Sequence, residues 1–173
     1  MAEDRQGSMM AHGQPIAFGR RLAGSEAFRA MFREGMALVE ETAAYLDGDG
    51  RDESKRLTRA ASLSYASESM RLTPRLMQLA SWLLPQRAVN DGEMSAEQAH
   101  AEKAKVKLGG LATATDGPGW DGLPEKLRAL ILRSMRLQDR VRKLDDAIDD
   151  PVPAVAENPV LSQLGRPSRE SGG

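Results

Sequence analysis

Cysteine is absent from the 173 residues, which excludes disulfides, thiolate metal sites, iron–sulfur clusters and a thiol nucleophile together. Aromatic residues make up only 4% of a chain that is 40% hydrophobic, so Leu, Met, Ala and Val must fill the core. That mixture favours helix over sandwiches and barrels, where β-branched and aromatic residues are enriched. No run of about 18 apolar residues occurs, and residues 1–24 hold acidic side chains without an apolar stretch of signal-peptide length, so a cytoplasmic protein is expected. A large net charge is missing too: 24 Lys and Arg against 25 Asp and Glu leave −1. The pI near 6.2 is unlike the basic balance of most nucleic-acid binders. The length suits one domain with a single core.

What is present is helical periodicity. Residues 1–24 carry scattered Gly, Pro and polar side chains, and a flexible leader is expected there. Ser25 has the character of an N-cap, and Phe28, Met31, Phe32, Gly35, Leu38, Val39, Thr42 and Leu46 follow at three- and four-residue steps. The glycines of Leu46-Asp47-Gly48-Asp49-Gly50 are expected to end this helix in left-handed geometry. Asp52 is the expected cap of a second helix running to about Leu84. It carries two apolar rows: Leu63, Met70, Met77 and Leu84 at seven-residue intervals, and Tyr65, Leu72 and Leu79 with Leu76 and Leu83 alongside. A helix apolar on two sides must be covered on two sides, so it is expected at the centre of the fold with a second subunit over part of it. The row of Tyr65, Leu72, Leu76, Leu79 and Leu83 is the candidate dimer interface. Pro74 removes the donor to the Met70 carbonyl, which predicts a kink without a break, and Pro85 is a point where the helix ends or bends.

Ser95 and Gln98 form a candidate capping box before an exposed or loosely docked helix over 96–108, and 109–122 reads as a Gly-rich loop. Leu123 and Pro124 open the last helix, in which Leu127, Leu130, Ser134, Leu137, Val141, Leu144 and Ile148 alternate in the narrow seam of a bundle. Asp149, Asp150 and Pro151 stop it. The domain is therefore expected over 25–149, with a disordered tail over 150–173.

Candidate chemistry is sparse. Asp47-Gly48-Asp49-Gly50 lacks the distant glutamate of a calcium loop, and Glu40 and Glu41 point apart on a helix. His12 and His100 have no orienting carboxylate or nucleophile placed by the sequence, and no phosphate-loop, dinucleotide or nucleophile-elbow motif occurs. No catalytic residue, cofactor or metal is expected. Two surfaces stand as candidate partner-binding sites. Between Leu123 and Leu144, seven basic side chains face only two acidic ones; Arg133, Arg136 and Arg140 are the candidates, with a solvated face as the plainer reading, docking of an acidic protein as the sharper one, and a nucleic-acid-linked regulator as the alternative function. Ser67, Glu68, Arg71 and Arg75 form a polar row that is either a set of internal hydrogen-bonding partners or an interface rim.

The stretches Glu34-Gly35-Met36, Glu40-Glu41-Thr42-Ala43-Ala44-Tyr45-Leu46-Asp47-Gly48, Ser62-Leu63-Ser64-Tyr65-Ala66-Ser67-Glu68-Ser69-Met70-Arg71-Leu72-Thr73 and Leu76-Met77-Gln78-Leu79-Ala80-Ser81-Trp82-Leu83-Leu84 resemble the alphaproteobacterial RcdA family, the regulators of CtrA degradation. Gln86-Arg87-Ala88-Val89 and Gly92-Glu93-Met94 continue the match, which spans roughly Ser25 to Ala147. The resemblance implies an all-α, three-helix-bundle homodimer with long antiparallel helices and a flexible C-terminal tail. It also implies a non-enzymatic adaptor for the ClpXP protease that bridges protease-associated factors, a cyclic-di-GMP effector protein and cell-cycle regulators as cargo, in the cytoplasm and at the cell pole.

Overall fold

Seven helices account for the regular structure of residues 18–149, the part of the chain that the computed structural model describes. The expected tail and most of the expected leader lie outside the described residues. The leader's last part, Phe18–Ala23, is a short helix, α1, whose buried Ala23 offers its carbonyl to Asn90 Nδ2 at 2.6 Å. Irregular chain therefore does not extend to Gly24 as expected.

α2 spans Glu26–Asp47 and buries Phe28, Met31, Phe32, Gly35, Leu38, Thr42 and Tyr45, one stripe at helical spacing. Ser25 occupies the N-cap position, but its hydroxyl donates to the Leu22 carbonyl and accepts from no helix amide. Gly48 follows α2 with φ −113°, so the left-handed ending expected from the glycine pair does not occur. The chain passes at once into α3, Asp49–Ser54, which contains Asp52. The Tyr45 hydroxyl donates to Glu53 Oε2 at 2.7 Å and closes this corner. Thr58, in place of Asp52, caps the next helix by accepting from the Ala61 amide at 3.2 Å.

α4, Arg59–Asn90, is the longest helix and contains both Pro74 and Pro85. Neither ends it, because the carbonyl that Pro74 leaves without a partner is that of solvent-facing Met70 and the apolar period continues on both sides. The capping box at Ser95 and Gln98 is present, and the α5 helix that follows, Ala96–Ala104, buries Ala99 and Lys103. Within the expected loop a short turn of helix, α6 at Pro118–Asp121, holds half-buried Trp120. α7, Glu125–Asp149, buries Leu127, Leu130, Ile131, Ser134, Leu137, Gln138, Val141 and Leu144.

α2, α4 and α7 pack mutually and form a three-helix bundle. Trp82 is fully buried where the start of α2 meets the end of α7, with its ring 6.5 Å from that of Phe28 and its Nε1 donating to Asp145 Oδ1 at 2.7 Å. Glu34 and Glu41 of α2 pair with Arg140 and Arg133 of α7, so these two helices run in opposite directions. Arg75 and Trp82 of α4 meet Ser134 and Asp145 of α7, so α4 and α7 run the same way. The antiparallel arrangement expected of the long helices does not extend to that pair. The physical reason is the long 91–124 connection, which carries the chain back along the bundle before α7 begins.

Gly35 marks a tight approach between α2 and α4 in the core. A Cβ there would stand 2.6 Å from Leu83 Cδ1 and 3.5 Å from Leu137 Cδ2, both on fully buried leucines. Overpacking costs about 1–3 kcal/mol, whereas alanine in a helix gains about 0.8–1 kcal/mol over glycine. Gly35→Ala is therefore expected to lower stability by about 1 kcal/mol in urea denaturation. A stability gain would show that the bundle has room there.

Candidate docking surface

The two apolar rows of α4 end on opposite sides of the molecule. Leu72, Leu76, Leu79 and Leu83 are buried in the protein's own core, with Tyr65 partly buried beside them. They are not available to a second subunit, which overturns their assignment as the dimer interface. The exposed row is the other one: Leu63 is 65% exposed, Met70 75%, Met77 65% and Leu84 52%. The reason lies in width. A core-facing stripe needs three to four apolar residues per two turns, which the row through Leu72, Leu76, Leu79 and Leu83 supplies. One residue per heptad makes only a narrow line, and it is left exposed.

Exposed Ala66, Ser67, Thr73, Pro74 and Ser81 flank this line, and Arg71 is the one charged exposed side chain between Arg59 and Arg87. From Leu63 to Leu84 it extends about 32 Å at the α-helical rise. At its Leu63 end a cleft of about 290 Å³ opens against the 114–120 loop, with Ser67, Glu68, Arg71, Asp116 and Trp120 around it. Three of the candidate partner-binding residues thus come together. Glu68 accepts from Arg71 Nη1 at 2.9 Å and from the Thr113 hydroxyl at 2.7 Å, so it is held on both sides.

The fourth, Arg75, is not a surface residue. Its guanidinium is fully buried and donates to Ser134 Oγ at 3.0 Å, to Thr113 Oγ1 at 3.1 Å and to the Leu111 carbonyl. Burial pushes its pKa below the usual value, while nearby Glu68 raises it. It ties the connection before α6 to the bundle, and its candidacy for partner binding is withdrawn because a partner cannot reach it.

The basic row of α7 is largely occupied within the fold. Arg133 and Lys126 both bond to Glu41, and Arg140 pairs with Glu34 at 2.8 Å. Hydrogen bonds from Arg133 and then Lys126 hold the Glu41 carboxyl below the usual range. Arg142 donates to the Leu108 carbonyl at 3.2 Å. Of the candidates on α7, Arg136 alone is exposed with no acidic partner among the described residues. Two carboxylates of α2, Glu34 and Glu41, thus offset part of the net positive face counted along α7, which a single-helix count could not register.

Two further buried polar groups had no sequence signal. Lys103 Nζ donates to Gln86 Oε1 at 3.0 Å and lies 4.9 Å from the Trp82 ring centroid; burial lowers its pKa against the raising effect of Asp145 and Asp149. Gln86 Nε2 continues to Asn90 Oδ1 at 3.2 Å, so a polar chain links α5 through α4 to α1. His100 is exposed, 3.6 Å from Asp149. Among the described residues, no group of three or more His, Asp or Glu is arranged to hold a metal, and no helix is long and apolar enough to cross a membrane.

A family model described as a protein of unknown function, DUF1465, matches residues 19–169. The crystal structure of RcdA from Caulobacter crescentus CB15 matches at 55% sequence identity and a TM-score of 0.59, over 73% of this chain and 94% of that one. No curated protein matches.

Proposed function

The chain belongs to the RcdA family, and on that footing we propose that it is a non-enzymatic adaptor that delivers cell-cycle regulatory proteins to the ClpXP protease. The observation that supports this beyond the family is the apolar line on α4, exposed on a helix whose other face already fills the core. An adaptor needs separate binding surfaces that raise the local concentration of cargo near the protease, and no ionisable group tuned for chemistry. We place a second copy of the chain on the α4 line. Antiparallel pairing of two such helices sets Leu63 of one copy against Leu84 of the other and Met70 against Met77, a self-complementary arrangement. The strict heptad drifts about 20° per repeat on a straight helix and suits a left-handed crossing. The proposed partners are ClpXP-associated factors, a cyclic-di-GMP effector protein and regulatory cargo, in the cytoplasm and at the cell pole.

The nucleic-acid reading draws little support, since two of the three α7 arginines on which it relied, Arg133 and Arg140, engage Glu41 and Glu34. The proposal is tested by following degradation of purified CtrA by ClpXP with its accessory factors, with and without the full chain. Faster turnover in its presence is expected. The same rate in both reactions would remove the adaptor role.

A further inference from the structure

At the corner where α2 begins and α4 ends, a cleft of about 410 Å³ is lined by Phe28, Arg29, Phe32, Arg33, Arg87 and Asp91. Its chemistry differs from that of the α4 line, because it gathers guanidinium groups around aromatic rings. Phe28 and Phe32, with ring centroids 6.4 Å apart, close its floor, Phe28 buried and Phe32 9% exposed. The Arg87 guanidinium carbon lies 4.5 Å from the Phe32 centroid. Arg29 pairs with Glu26 and Arg87 with Asp91, each within one turn of its own helix and each mostly exposed. Arg33 is exposed with no carboxylate partner among the described residues.

We propose that this corner docks an acidic segment of a partner protein, one that places an apolar side chain between its carboxylates. Guanidinium groups take carboxylates in paired hydrogen bonds and stack on aromatic faces at the same time, and Arg87 is already stacked. The pairs that Arg29 and Arg87 make are exposed neighbours on one helix, worth a few tenths of a kcal/mol, so incoming carboxylates can replace them at little cost. Arg33 gains a partner where it has none. The Arg87 guanidinium, stacked on the Phe32 ring at the floor of the cleft, is the contact for the apolar side chain at the centre of the charged rim. A nucleic-acid strand fits less well, because its run of phosphates needs a longer track of cations than the three arginines of this cleft.

The inference stands apart from the adaptor reading, because direct binding tests it without any protease. The probe is a short fluorescein-labelled peptide of glutamate pairs separated by single phenylalanines, titrated with the full chain and followed by anisotropy. Saturable binding is expected, and Arg33→Glu is expected to weaken it by about tenfold or more. Arg33 makes no contact on which folding depends, so this variant reports on the surface alone. Arg136→Glu with Lys143→Glu, a charge change of the same sign on α7, is expected to shift affinity by less than about twofold. Equal weakening by both sets would reduce the effect to overall charge and overturn the proposal. So would a peptide with serine for phenylalanine that binds as well, an oligothymidine that binds more tightly than the peptide, or no binding.

Discussion

Met70→Lys with Met77→Lys is expected to leave the bundle folded and turn the proposed dimer into a monomer. Both side chains are largely exposed in the single chain, and lysine is as good a helix former as methionine. Stability of the monomer should therefore change by no more than about 0.5 kcal/mol at each position. At an isologous contact each substitution appears twice, so four methionines leave the interface. At a conservative 1.5 kcal/mol per buried methionine, the loss is about 6 kcal/mol, or roughly four powers of ten in the dissociation constant. Lysine stems could cover part of the apolar line, yet four ammonium groups facing one another outweigh that gain. Sedimentation equilibrium distinguishes the outcomes, with circular dichroism as the check on folding. An unchanged dimer would move the interface elsewhere on the molecule, and a wild-type chain that is monomeric at all concentrations would end the dimer proposal. Leu79→Lys is the contrasting control: it puts a charge among the fully buried leucines of the core and should unfold the protein.

Much of the bundle was legible because burial in a helix leaves a periodic trace. The positions of Phe28, Met31, Phe32, Gly35 and Leu38 mark α2, and those of Leu127, Leu130, Leu137, Val141 and Leu144 mark α7; both sets are buried as their spacing requires. Both rows of α4 were visible too. What periodicity could not reveal directly was which row faces inward, since hydropathy assigns a face and not its neighbour. Row width carries that information: the denser row through Leu76 and Leu83 fills the core, and the sparser one through Met70 and Met77 faces out. The misplaced helix start has a similar origin. Asp52 and Thr58 are both capable caps, and only the turn made by α3, with buried Gly50 against Tyr45, decides between them. At Gly50 a Cβ would stand 2.7 Å from the Tyr65 hydroxyl, a tertiary contact that no local pattern records.

The polar groups were the least legible. Arg133 and Arg140 looked like free charges because their partners, Glu41 and Glu34, are about a hundred residues away in the chain and come close only when α2 and α7 pack. Lys103 sits on a helix with almost no large apolar residues, and its burial follows from the approach of α5 to Trp82 and Gln86. Such groups are satisfied by geometry that exists only in the folded state. For the proposed docking role this matters, because the exposed charges that remain, Arg33 and Arg136 among them, are what is left after the fold has paired its own.

Arg75 gives the second large effect. Arg75→Ala is expected to cost about 3–5 kcal/mol, in the range for deleting a large buried side chain and breaking a buried polar network. Three acceptors lose their donor: Ser134 Oγ, Thr113 Oγ1 and the Leu111 carbonyl. The two hydroxyls keep second partners, Ile131 for Ser134 and Glu68 for Thr113, so the unpaired Leu111 carbonyl and the empty volume carry most of the cost. Arg75→Met separates these contributions: it refills much of the volume, removes the need to bury a cation whose Nε has no hydrogen-bond partner among the described residues, and should cost about 1–2 kcal/mol. In both variants the amides around Leu111 and Thr113 should lose protection in hydrogen exchange while those of α2 keep it, because the hydrogen bonds of Arg75 run to that connection and to α7. Denaturation curves for Arg75→Ala and wild type that coincide would show that the guanidinium rests in the core without holding it. A loss of exchange protection spread evenly over α2, α4 and α7 would show instead that Arg75 supports the whole bundle and not the connection alone.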